Sequence, residues 1–222
     1  MSRLIITPTP IGNLEDITLR SIRYLKECDF ILAEDTRVTQ KLLYHLEISK
    51  SVYSFHSHNE HRVLNQVIQK IQEAEKVVLV SDAGTPGISD PGFLLIRSCI
   101  ENDIEIECLP GPTAVIPALV VSGFPTDRFI FEGFLPHKKG RQTRIKEICS
   151  ETRTTVLYES PHRINKMLKQ FQEYIHPERP IAVIREISKM FEEVKRGTIQ
   201  ELIDFSEQKV LKGEIVVVVS AI

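Results

Sequence analysis

The sequence has 222 residues, with 42% hydrophobic and 26% charged residues and a formal net charge of −2. This length suits one large domain or two small ones, and the near-neutral charge neither favours nor excludes a nucleic-acid partner. The longest apolar runs, near residues 115–121 and 215–219, are too short to span a membrane, and no signal peptide pattern opens the chain. We therefore expect a cytoplasmic protein with no membrane partner. Its cysteines form no Cys-x-x-Cys pair and are expected to be reduced core thiols: Cys28, Cys99, Cys108 and Cys149.

Strand-like and helix-like segments alternate along the whole chain. Apolar runs predict strands, and amphipathic segments between them predict helices. The predicted strands cover residues 4–7, 30–33, 77–80, 104–108, 129–131, 155–158, 181–184 and 215–219. The predicted helices cover residues 19–26, 38–46, 63–71, 93–100 and 114–121, with later helices ending near residue 149, beginning at Ser160-Pro161 and beginning at a Thr198–Glu201 capping box.

Strands that are continuously apolar and separated by helices indicate mainly parallel sheets covered on both faces. The fold class is therefore α/β. Residues 122–127 combine glycine, proline and polar residues, which is typical of a break between domains. We predict an N-terminal α/β domain at residues 1–122 and a C-terminal α/β domain at residues 127–222.

The unusual residues follow the predicted strands. Residues 81–92, SDAGTPGISDPG, hold three glycines, two prolines and two carboxylates, and this composition indicates a fixed, tight backbone path. Loops rich in Gly, Pro and charged pairs also follow other strands, at residues 9–13, 34–37, 109–113, 159–163 and 185–189. The segments that enter strands, including residues 177–179, look like plain solvated surface. Because ligands bind beyond the carboxyl ends of strands in open α/β sheets, this pattern predicts a site in the cleft between two domains.

Several common sites lack their sequence signatures. No Gly-x-x-x-x-Gly-Lys-Ser/Thr, Gly-x-Gly-x-x-Gly or Gly-x-Ser-x-Gly motif is present, so a nucleotide triphosphatase, a standard dinucleotide fold and a serine hydrolase are unsupported. His56, His58 and His61 stand close enough in sequence for metal ligands, but no accompanying metal motif is present. A polar contact with substrate or a solvated loop is favoured for them, and no metal is expected.

Eight motifs in unbroken order resemble those of the bacterial ribosomal RNA small subunit methyltransferase I family, within the tetrapyrrole methylase superfamily, and the resemblance runs from about residue 4 to residue 220. These motifs are TPIGNL at 9–14, EDTR at 34–37, HSHNE at 56–60, residues 81–92, PGPTA at 110–114, GFLP at 133–136, YESPHR at 158–163 and RE at 185–186. The resemblance implies a homodimer that transfers methyl from S-adenosylmethionine to the ribose 2′-oxygen of a cytidine in small-subunit (16S) ribosomal RNA of the 30S particle.

Carried onto matching positions, the resemblance implies a set of residues that contact S-adenosylmethionine: Pro10, Asp82, Ala83, Gly84, Thr85, Thr113, Ala114, Tyr158 and Ile187. Several of these positions also have a structural interpretation, because Pro10, Ala83 and Gly84 can simply shape a loop and Thr113 can simply cap a helix. Longer relatives continue into a further helical segment. We expect this chain to be a short form that lacks the RNA contacts of that segment.

A ribose hydroxyl is a poor nucleophile, so a carboxylate base is expected to assist it. The candidates lie in the motif loops: Asp35, which is favoured because Thr36 and Arg37 beside it can orient a phosphate, then Glu34, Glu60 and Glu186. The alternative is that Glu34 and Asp35 only pair with Arg37 or cap the next helix. Contacts with the RNA are expected from Asn13, Arg37, His58, Asn59, Lys138, Lys139, Arg141 and Arg163, although the basic stretch near residue 138 also suits a solvated helix start.

Two other functions stay open at this point. One is methylation of a small tetrapyrrole by a member of the same superfamily. The HSHNE, SPHR and GFLP segments fit the ribosomal branch better. The other is a non-catalytic module that binds S-adenosylmethionine, which the carboxylates in the motif loops argue against.

Overall fold

The structure is a computed structural model that describes residues 2–222, and its contacts divide the chain into two α/β units. The first unit ends at Thr113 and the second begins at Ala114. The first contains strands β1 (Arg3–Ile6), β2 (Phe30–Ala33), β3 (Val52–Ser54), β4 (Lys76–Val80) and β5 (Glu105–Cys108), and helices α1 (Leu19–Glu27), α2 (Thr36–His45), α3 (Glu60–Gln72) and α4 (Phe93–Glu101). The second contains strands β6 (Phe129–Phe134), β7 (Thr154–Glu159), β8 (Ile181–Arg185), β9 (Glu193–Gly197) and β10 (Ile215–Val219), and helices α5 (Val115–Ser122), α6 (Arg141–Ser150), α7 (Ile164–Gln172) and α8 (Ile199–Gln208).

The first sheet has strand order β3-β2-β4-β1-β5, and all of its strand pairs are parallel. Its inner strands are buried because alternate residues face two separate hydrophobic clusters. In β4, Val77 and Leu79 face one cluster, and Val78 and Val80 face the other. This double coverage explains the continuous apolar runs, and it confirms the predicted parallel α/β arrangement for this unit.

The second sheet has strand order β6-β7-β10-β8-β9 and is mainly antiparallel. Only β6 and β7 run parallel, while β10 pairs antiparallel with both β7 and β8, and β9 is antiparallel to β8. Helices α6, α7 and α8 cover one face of this sheet and pack there against Val217 and Val219 of β10. Helix α5 also packs against β10. The prediction of mainly parallel sheets is therefore wrong for this unit. Strand β10 is apolar throughout because helices cover both of its faces. Its continuous apolar run therefore does not require a parallel sheet.

Other differences from the sequence predictions have local causes. Strands β3 and β9 were not predicted, because both are edge strands with exposed polar residues and no apolar run. Helix α7 begins at Ile164, since residues 161–163 form a turn whose amide groups bond to the carbonyl and hydroxyl oxygens of Ser160. The contact boundary also precedes the predicted break at residues 122–127, because α5 packs on the second sheet.

The prediction for Arg179 is also wrong. The sequence pattern indicated solvated surface at residues 177–179, but the structure buries Arg179. Only 4% of the residue is exposed. Its guanidinium donates to the carbonyl oxygens of Cys149 at 2.9 Å, Glu151 at 2.7 Å and Ser220 at 2.7 Å. Burial lowers the pKa of Arg179 below its ordinary value. The side chain therefore joins the end of α6 to the segment after β10.

The predicted capping box at α8 is confirmed and supplies a stability test. Thr198 Oγ1 accepts from the Glu201 amide, and the Glu201 carboxylate accepts from the Thr198 amide at 2.8 Å. Thr198→Ala should lower the free energy of unfolding by about 1 kcal/mol, since it leaves an amide at the helix start without a partner. Urea denaturation measures this loss. Thr143→Ala, at an exposed position within α6, is the control, and an equal loss there would contradict a capping effect.

Candidate functional site

The carboxyl ends of all five strands of the first sheet lie at one edge, because the strands are parallel. The loops after β1 and β4 are joined there by a two-residue antiparallel bridge. The amides of Thr9 and Gly84 each donate to the other residue's carbonyl at 2.9 Å, and Thr9 Oγ1 donates to the Ser81 carbonyl at 3.0 Å. The bridge fixes the start of the Gly/Asp-rich loop relative to the first loop.

Two glycines shape the loops after β1, β4 and β5, Gly84 through its backbone conformation and Gly111 through its lack of a side chain. Gly84 has a φ of +78°, which favours glycine, and a Cβ there would lie 3.7 Å from Ile11 Cγ2 and 3.8 Å from the Pro112 carbonyl oxygen. A Cβ on Gly111 would lie only 2.8 Å from Pro8 Cβ. The sequence predicted a fixed, tight path for residues 81–92, and the positive φ values of Gly84, Gly87 and Gly92 agree with it.

Three carboxylates, Glu34, Asp35 and Asp82, meet at this edge. The Asp35 amide donates to Asp82 Oδ1 at 3.0 Å, and the Asp82 amide makes a long bond of 3.5 Å to Glu34 Oε2. Asp35 caps α2 by accepting from the Arg37 amide at 2.8 Å, and its carboxylate also accepts from Arg37 Nε at 3.0 Å. The structure therefore brings together Glu34, Asp35, Arg37 and Asp82, four of the residues selected from sequence.

The three carboxylates have different environments, which lower the pKa of Asp35 and raise the pKa of Glu34 and Asp82. Hydrogen bonds from the Arg37 side chain and amide hold the pKa of Asp35 well below its usual range. Burial raises the pKa of Glu34, and the neighbouring charges of Asp82 and Asp35 also raise it. Burial likewise raises the pKa of Asp82. Because a general base needs appreciable proton affinity, Glu34 is better suited to that role than Asp35.

The histidine-rich loop after β3 is folded on itself. Asn59 Oδ1 accepts from the His56 amide at 2.9 Å, and Asn59 Nδ2 donates to the Ser54 carbonyl at 3.2 Å. The rings of His56 and His58 are 5.9 Å apart, and His58 is exposed. The side-chain amide of Asn59 therefore holds the shape of this loop, whereas the sequence analysis predicted that Asn59 contacts RNA. Glu60 is the first residue of α3, and Asn13 caps a short 3₁₀ turn (Leu14–Asp16) through the Glu15 amide at 3.1 Å.

Two buried side-chain atoms among residues 2–222 have no hydrogen-bond partner, and both lie at this edge. They are Oγ1 of Thr7, which follows β1, and Nδ1 of His56, which follows β3. Unpartnered buried polar atoms are uncommon in folded proteins and are often found where a ligand or water binds. Within the same residues, no group of three or more His, Cys, Asp or Glu side chains is arranged to hold a metal ion.

A cavity of about 250 Å³, which we call the α2 cavity, opens between the loop after β1, helix α2 and the loop after β4. Pro10 and Asp82, which sequence selected, form part of its lining. The other lining residues were not selected individually. Thr9, Leu14 and Ser81 belong to the quoted motif segments, whereas an ordinary amphipathic helix gives no signal of a cavity for the residues on α2: Val38, Thr39, Lys41, Leu42 and His45.

The loop after β8 holds Glu186 and Ser188 in an unusual backbone conformation. Glu186 and Ser188 have φ values of +54° and +68°, which L-residues seldom adopt. Glu186 Oε1 accepts from Lys189 Nζ at 2.9 Å and from the Glu214 amide at 2.9 Å, and the Lys189 bond holds the pKa of Glu186 below its usual value. This carboxylate is committed to the loop, and Ile187 beside it is buried.

The basic residues selected in the second unit divide into two groups. Lys138 and Lys139 are exposed in the loop before α6. Arg141 is buried, and its guanidinium donates to Glu159 Oε2 at 3.1 Å and Gln170 Oε1 at 2.9 Å. Arg163 pairs with the other Glu159 oxygen at 2.8 Å. The buried Arg141 is thus part of the core, which sequence could not distinguish from the exposed lysines before it.

The remaining residues selected from the sequence lie in or next to the loops that follow the strands. Ala83 and Thr85 lie on either side of Gly84, and Thr113 and Ala114 lead into α5, where Ala114 is the N-cap residue. Tyr158, near the end of β7, packs its ring against Phe131 at 5.3 Å and Phe134 at 5.4 Å between centroids.

Comparisons with known proteins agree with this architecture. The family model described as Tetrapyrrole (Corrin/Porphyrin) Methylases matches residues 3–203. Among solved structures, a diphthine synthase is similar with a TM-score of 0.77 and 14% identity, covering 99% of this chain and 90% of that one. The uroporphyrin-III-C-methyltransferase from Thermus thermophilus gives a TM-score of 0.69 and 19% identity, covering 99% of this chain and 94% of that one. These similarities establish the fold as that of the tetrapyrrole methylases.

Curated relatives are much more similar in sequence, and three of them carry the name ribosomal RNA small subunit methyltransferase I. The relative from Hydrogenobaculum is 48% identical over 98% of this chain and 95% of its own length. The Thermotoga maritima relative is 45% identical over 99% of both chains. The Synechocystis relative is 45% identical over 99% of this chain and 79% of its own length. The chain belongs to the ribosomal RNA small subunit methyltransferase I family.

Proposed function

We propose that this protein methylates small-subunit (16S) ribosomal RNA in the cytoplasm with S-adenosylmethionine as the methyl donor. The observation that carries the proposal is the 45–48% identity, over nearly the whole chain, to relatives named for that activity. The carboxylate cluster and the tight loops at the edge of the first sheet support it, because they supply polar groups where ligands bind in α/β folds. In the described residues no helix is long and apolar enough to cross a membrane.

The chemistry of the edge fits S-adenosylmethionine, which carries an ammonium group, a carboxylate, ribose hydroxyls and an adenine, and which supplies an activated methyl group when bound. The Asp82 carboxylate lies in the loop two residues before Gly84, and burial raises its pKa. The unpartnered Thr7 hydroxyl is a further polar group at this edge. The family resemblance carries donor contacts to Pro10, Asp82, Ala83, Gly84, Thr85 and Thr113 of the first unit and to Ala114, Tyr158 and Ile187 of the second. We propose these residues as the donor contacts.

For the acceptor we propose the ribose 2′-oxygen of a cytidine, with Glu34 as the base. The Glu34 carboxylate would take the proton of the 2′-hydroxyl as that oxygen bonds to the methyl carbon, and the carbon–sulfur bond of the donor would break to release S-adenosylhomocysteine. Glu34 is favoured over Asp35 because its pKa is raised by burial, whereas Arg37 lowers that of Asp35. Glu60 and Glu186 remain weaker candidates, since Glu186 is bonded to Lys189.

The function is tested with radiolabelled S-adenosylmethionine and small ribosomal subunits that lack their methylations. Label is expected to enter the RNA, at a nucleotide whose 3′ phosphodiester resists alkaline cleavage, because a 2′-O-methyl group blocks the attacking hydroxyl. Label at a base would contradict the acceptor atom. Donor binding without labelled RNA would contradict the function and favour a small-molecule methylase or a non-catalytic module.

Gly84→Ala should separate the loop's role in donor binding from its role in stability. The positive φ makes alanine cost about 1–2 kcal/mol in unfolding free energy. Gly123→Ala is a matched control, since Gly123 has a φ of +75° and no atom within 4 Å of its Cβ position. Both variants should lose similar stability in urea denaturation, but only Gly84→Ala should weaken S-adenosylmethionine binding in calorimetry. Equal donor affinity in both variants would remove Gly84 from the donor site.

Exposed lysines before α6 are proposed to contact RNA phosphates. Lys138 and Lys139 make no ion pair within residues 2–222, whereas the nearby Arg144 pairs with Glu132 and Glu147. Replacing both lysines by alanine should reduce the slope of log affinity against log salt by about 1.4, taking roughly 0.7 for each phosphate of a single strand. Filter binding of a 16S RNA fragment at several salt concentrations measures the slope. An unchanged slope would place these lysines outside the RNA interface.

We also propose that the chain forms a homodimer. Support comes from apolar side chains on α5 that face away from its own sheet, where Ile116 is 50% and Val120 is 69% exposed. Exposed apolar side chains on one helix face are typical of interfaces. Analytical ultracentrifugation of the wild type and of Val120→Glu tests this: the wild type is expected at twice the chain mass, and a monomeric wild type would contradict it.

A further inference from the structure

The α2 cavity lies on one side of the loop after β4. In the sheet, β4 stands between β2, which leads into α2, and β1. Gly84 and its neighbours Ile11 and Pro112 belong to the loops after β4, β1 and β5, whereas Val38, Lys41 and Leu42 of the cavity belong to α2. Asp82 lines the cavity and precedes Gly84 by two residues. The cavity is therefore adjacent to the loops assigned to the methyl donor.

We propose that the α2 cavity holds one unstacked nucleotide of the RNA substrate, with its base against apolar side chains and a neighbouring phosphate at Lys41 and His45. This inference rests on the proposed function and deepens it. A volume of about 250 Å³ is below the roughly 300–1,000 Å³ of pockets for drug-sized ligands. It suits a single nucleotide and excludes a double helix.

The lining of the cavity matches the face of a nucleobase. Pro10, Leu14, Val38 and Leu42 contribute apolar side chains, and Leu14 and Val38 remain 44% and 39% exposed. Isolated exposed apolar residues are ordinary, but these line a common concave surface. RNA bases that are read individually are splayed out of the helix and packed against such surfaces.

The charges at the cavity suit a phosphate. Lys41 and His45 are four residues apart on α2, so they lie on the same face of the helix. In the part of the chain that the structure describes, neither side chain has a hydrogen bond or an ion pair, whereas Arg37 on the same helix is bound by Asp35. The Lys41 ammonium and an imidazole N–H of His45 are therefore available to hydrogen-bond to an RNA phosphate.

Val38→Trp is designed to fill the cavity, and Lys41→Ala to remove one cation. Val210→Trp is the control for the first, because Val210 is 84% exposed in the second unit. Lys26→Ala is the control for the second, since Lys26 is an exposed helical lysine with no partner in the described residues. The measurements are KM for unmethylated small subunits, affinity for a short single-stranded oligoribonucleotide, and affinity for S-adenosylmethionine.

Val38→Trp is expected to weaken oligoribonucleotide binding and raise KM by about tenfold, the lower range for loss of one base contact. Lys41→Ala should lower the salt slope of RNA binding by about 0.7. S-adenosylmethionine affinity should stay within about twofold of the wild type, and the controls should match it. RNA binding unchanged in both variants would overturn the proposal, as would a loss confined to S-adenosylmethionine, which would give the cavity to the donor.

The failure of this inference is distinguishable from failure of the proposed function. If the wild-type protein transfers no label to small subunits, the proposed function is wrong. If it does transfer label and Val38→Trp and Lys41→Ala do so with wild-type KM, only the assignment of the cavity is wrong. Lys41 is exposed, so its replacement tests the cavity even where the larger tryptophan prevents folding.

Discussion

Glu34→Gln is expected to lower the rate of methyl transfer to small-subunit ribosomal RNA by about 10²–10⁴-fold, the usual contribution of a positioned general base. The amide keeps the shape of the side chain and can still accept the long bond from the Asp82 amide, but it cannot take a proton. Single-turnover rates with saturating S-adenosylmethionine measure the effect. Donor affinity, measured by calorimetry, should stay close to that of the wild type.

The pH dependence of the same reaction gives an independent test. A base must be unprotonated to act, so the wild-type rate should fall as the pH drops through the raised pKa of Glu34. The groups that face Glu34 are Asp82, His56 and Asp35, with Arg37 bound to Asp35. Glu34→Gln should lose the acidic limb of the profile, because the group that produces it is gone.

Asp35→Asn is the comparison that decides between the two carboxylates. It should weaken the bonds to Arg37 and so reduce the rate, but the acidic limb of the pH profile should persist. If Asp35→Asn instead abolished that limb while Glu34→Gln retained wild-type rates, Asp35 would be the base that sequence first favoured and Glu34 would have no role in proton transfer.

Glu159→Ala is expected to destabilise the second unit by about 3–5 kcal/mol, because it leaves the guanidinium of Arg141 buried without its carboxylate. Glu159 is 1% exposed and accepts from Arg141, from Arg163 and from the Ser160 amide at 2.8 Å. Urea denaturation measures the loss of unfolding free energy. Because the chain has two units, the urea unfolding transition should be fitted with more than one step.

The control for Glu159→Ala is Glu147→Ala, which removes an exposed partner of Arg144. Exposed pairs contribute about 0–1 kcal/mol, so this change should be nearly neutral. Comparable losses in the two variants would show that the buried cluster has no special weight. The double variant Glu159→Met with Arg141→Met should recover part of the stability, since it removes both charges together.

Elements with a strong local signal were predictable from sequence. Strand β4, strand β10 and the Thr198 capping box are defined by apolar runs or by hydrogen bonds between neighbours in sequence. Strands β3 and β9 were missed because an edge strand pairs on one side only and needs no apolar run. Strand direction in the second sheet was also hidden, since an apolar strand covered on both faces has the same pattern in either direction.

The site was predictable as a set of loops but not as a set of roles. The Gly/Asp-rich loop and the EDTR motif were recognisable, because glycines and clustered carboxylates are informative residue types. Which carboxylate retains proton affinity depends on burial and on the direction of the Arg37 side chain, and neither appears in sequence. The burial of Arg141 and Arg179 was hidden for the same reason, since their partners are 18 to 41 residues away in the chain.

The position of β10 in the second sheet has a consequence for synthesis of the chain. Residues 215–219 lie between β7 and β8, so those two strands have no common neighbour until residue 219 has left the ribosome. The first sheet needs only residues up to 108, because β5 completes it. Nascent chains are therefore expected to protect the first unit from proteases well before the second, and chains stalled short of residue 215 should leave the pairing edges of β7 and β8 open to chaperones.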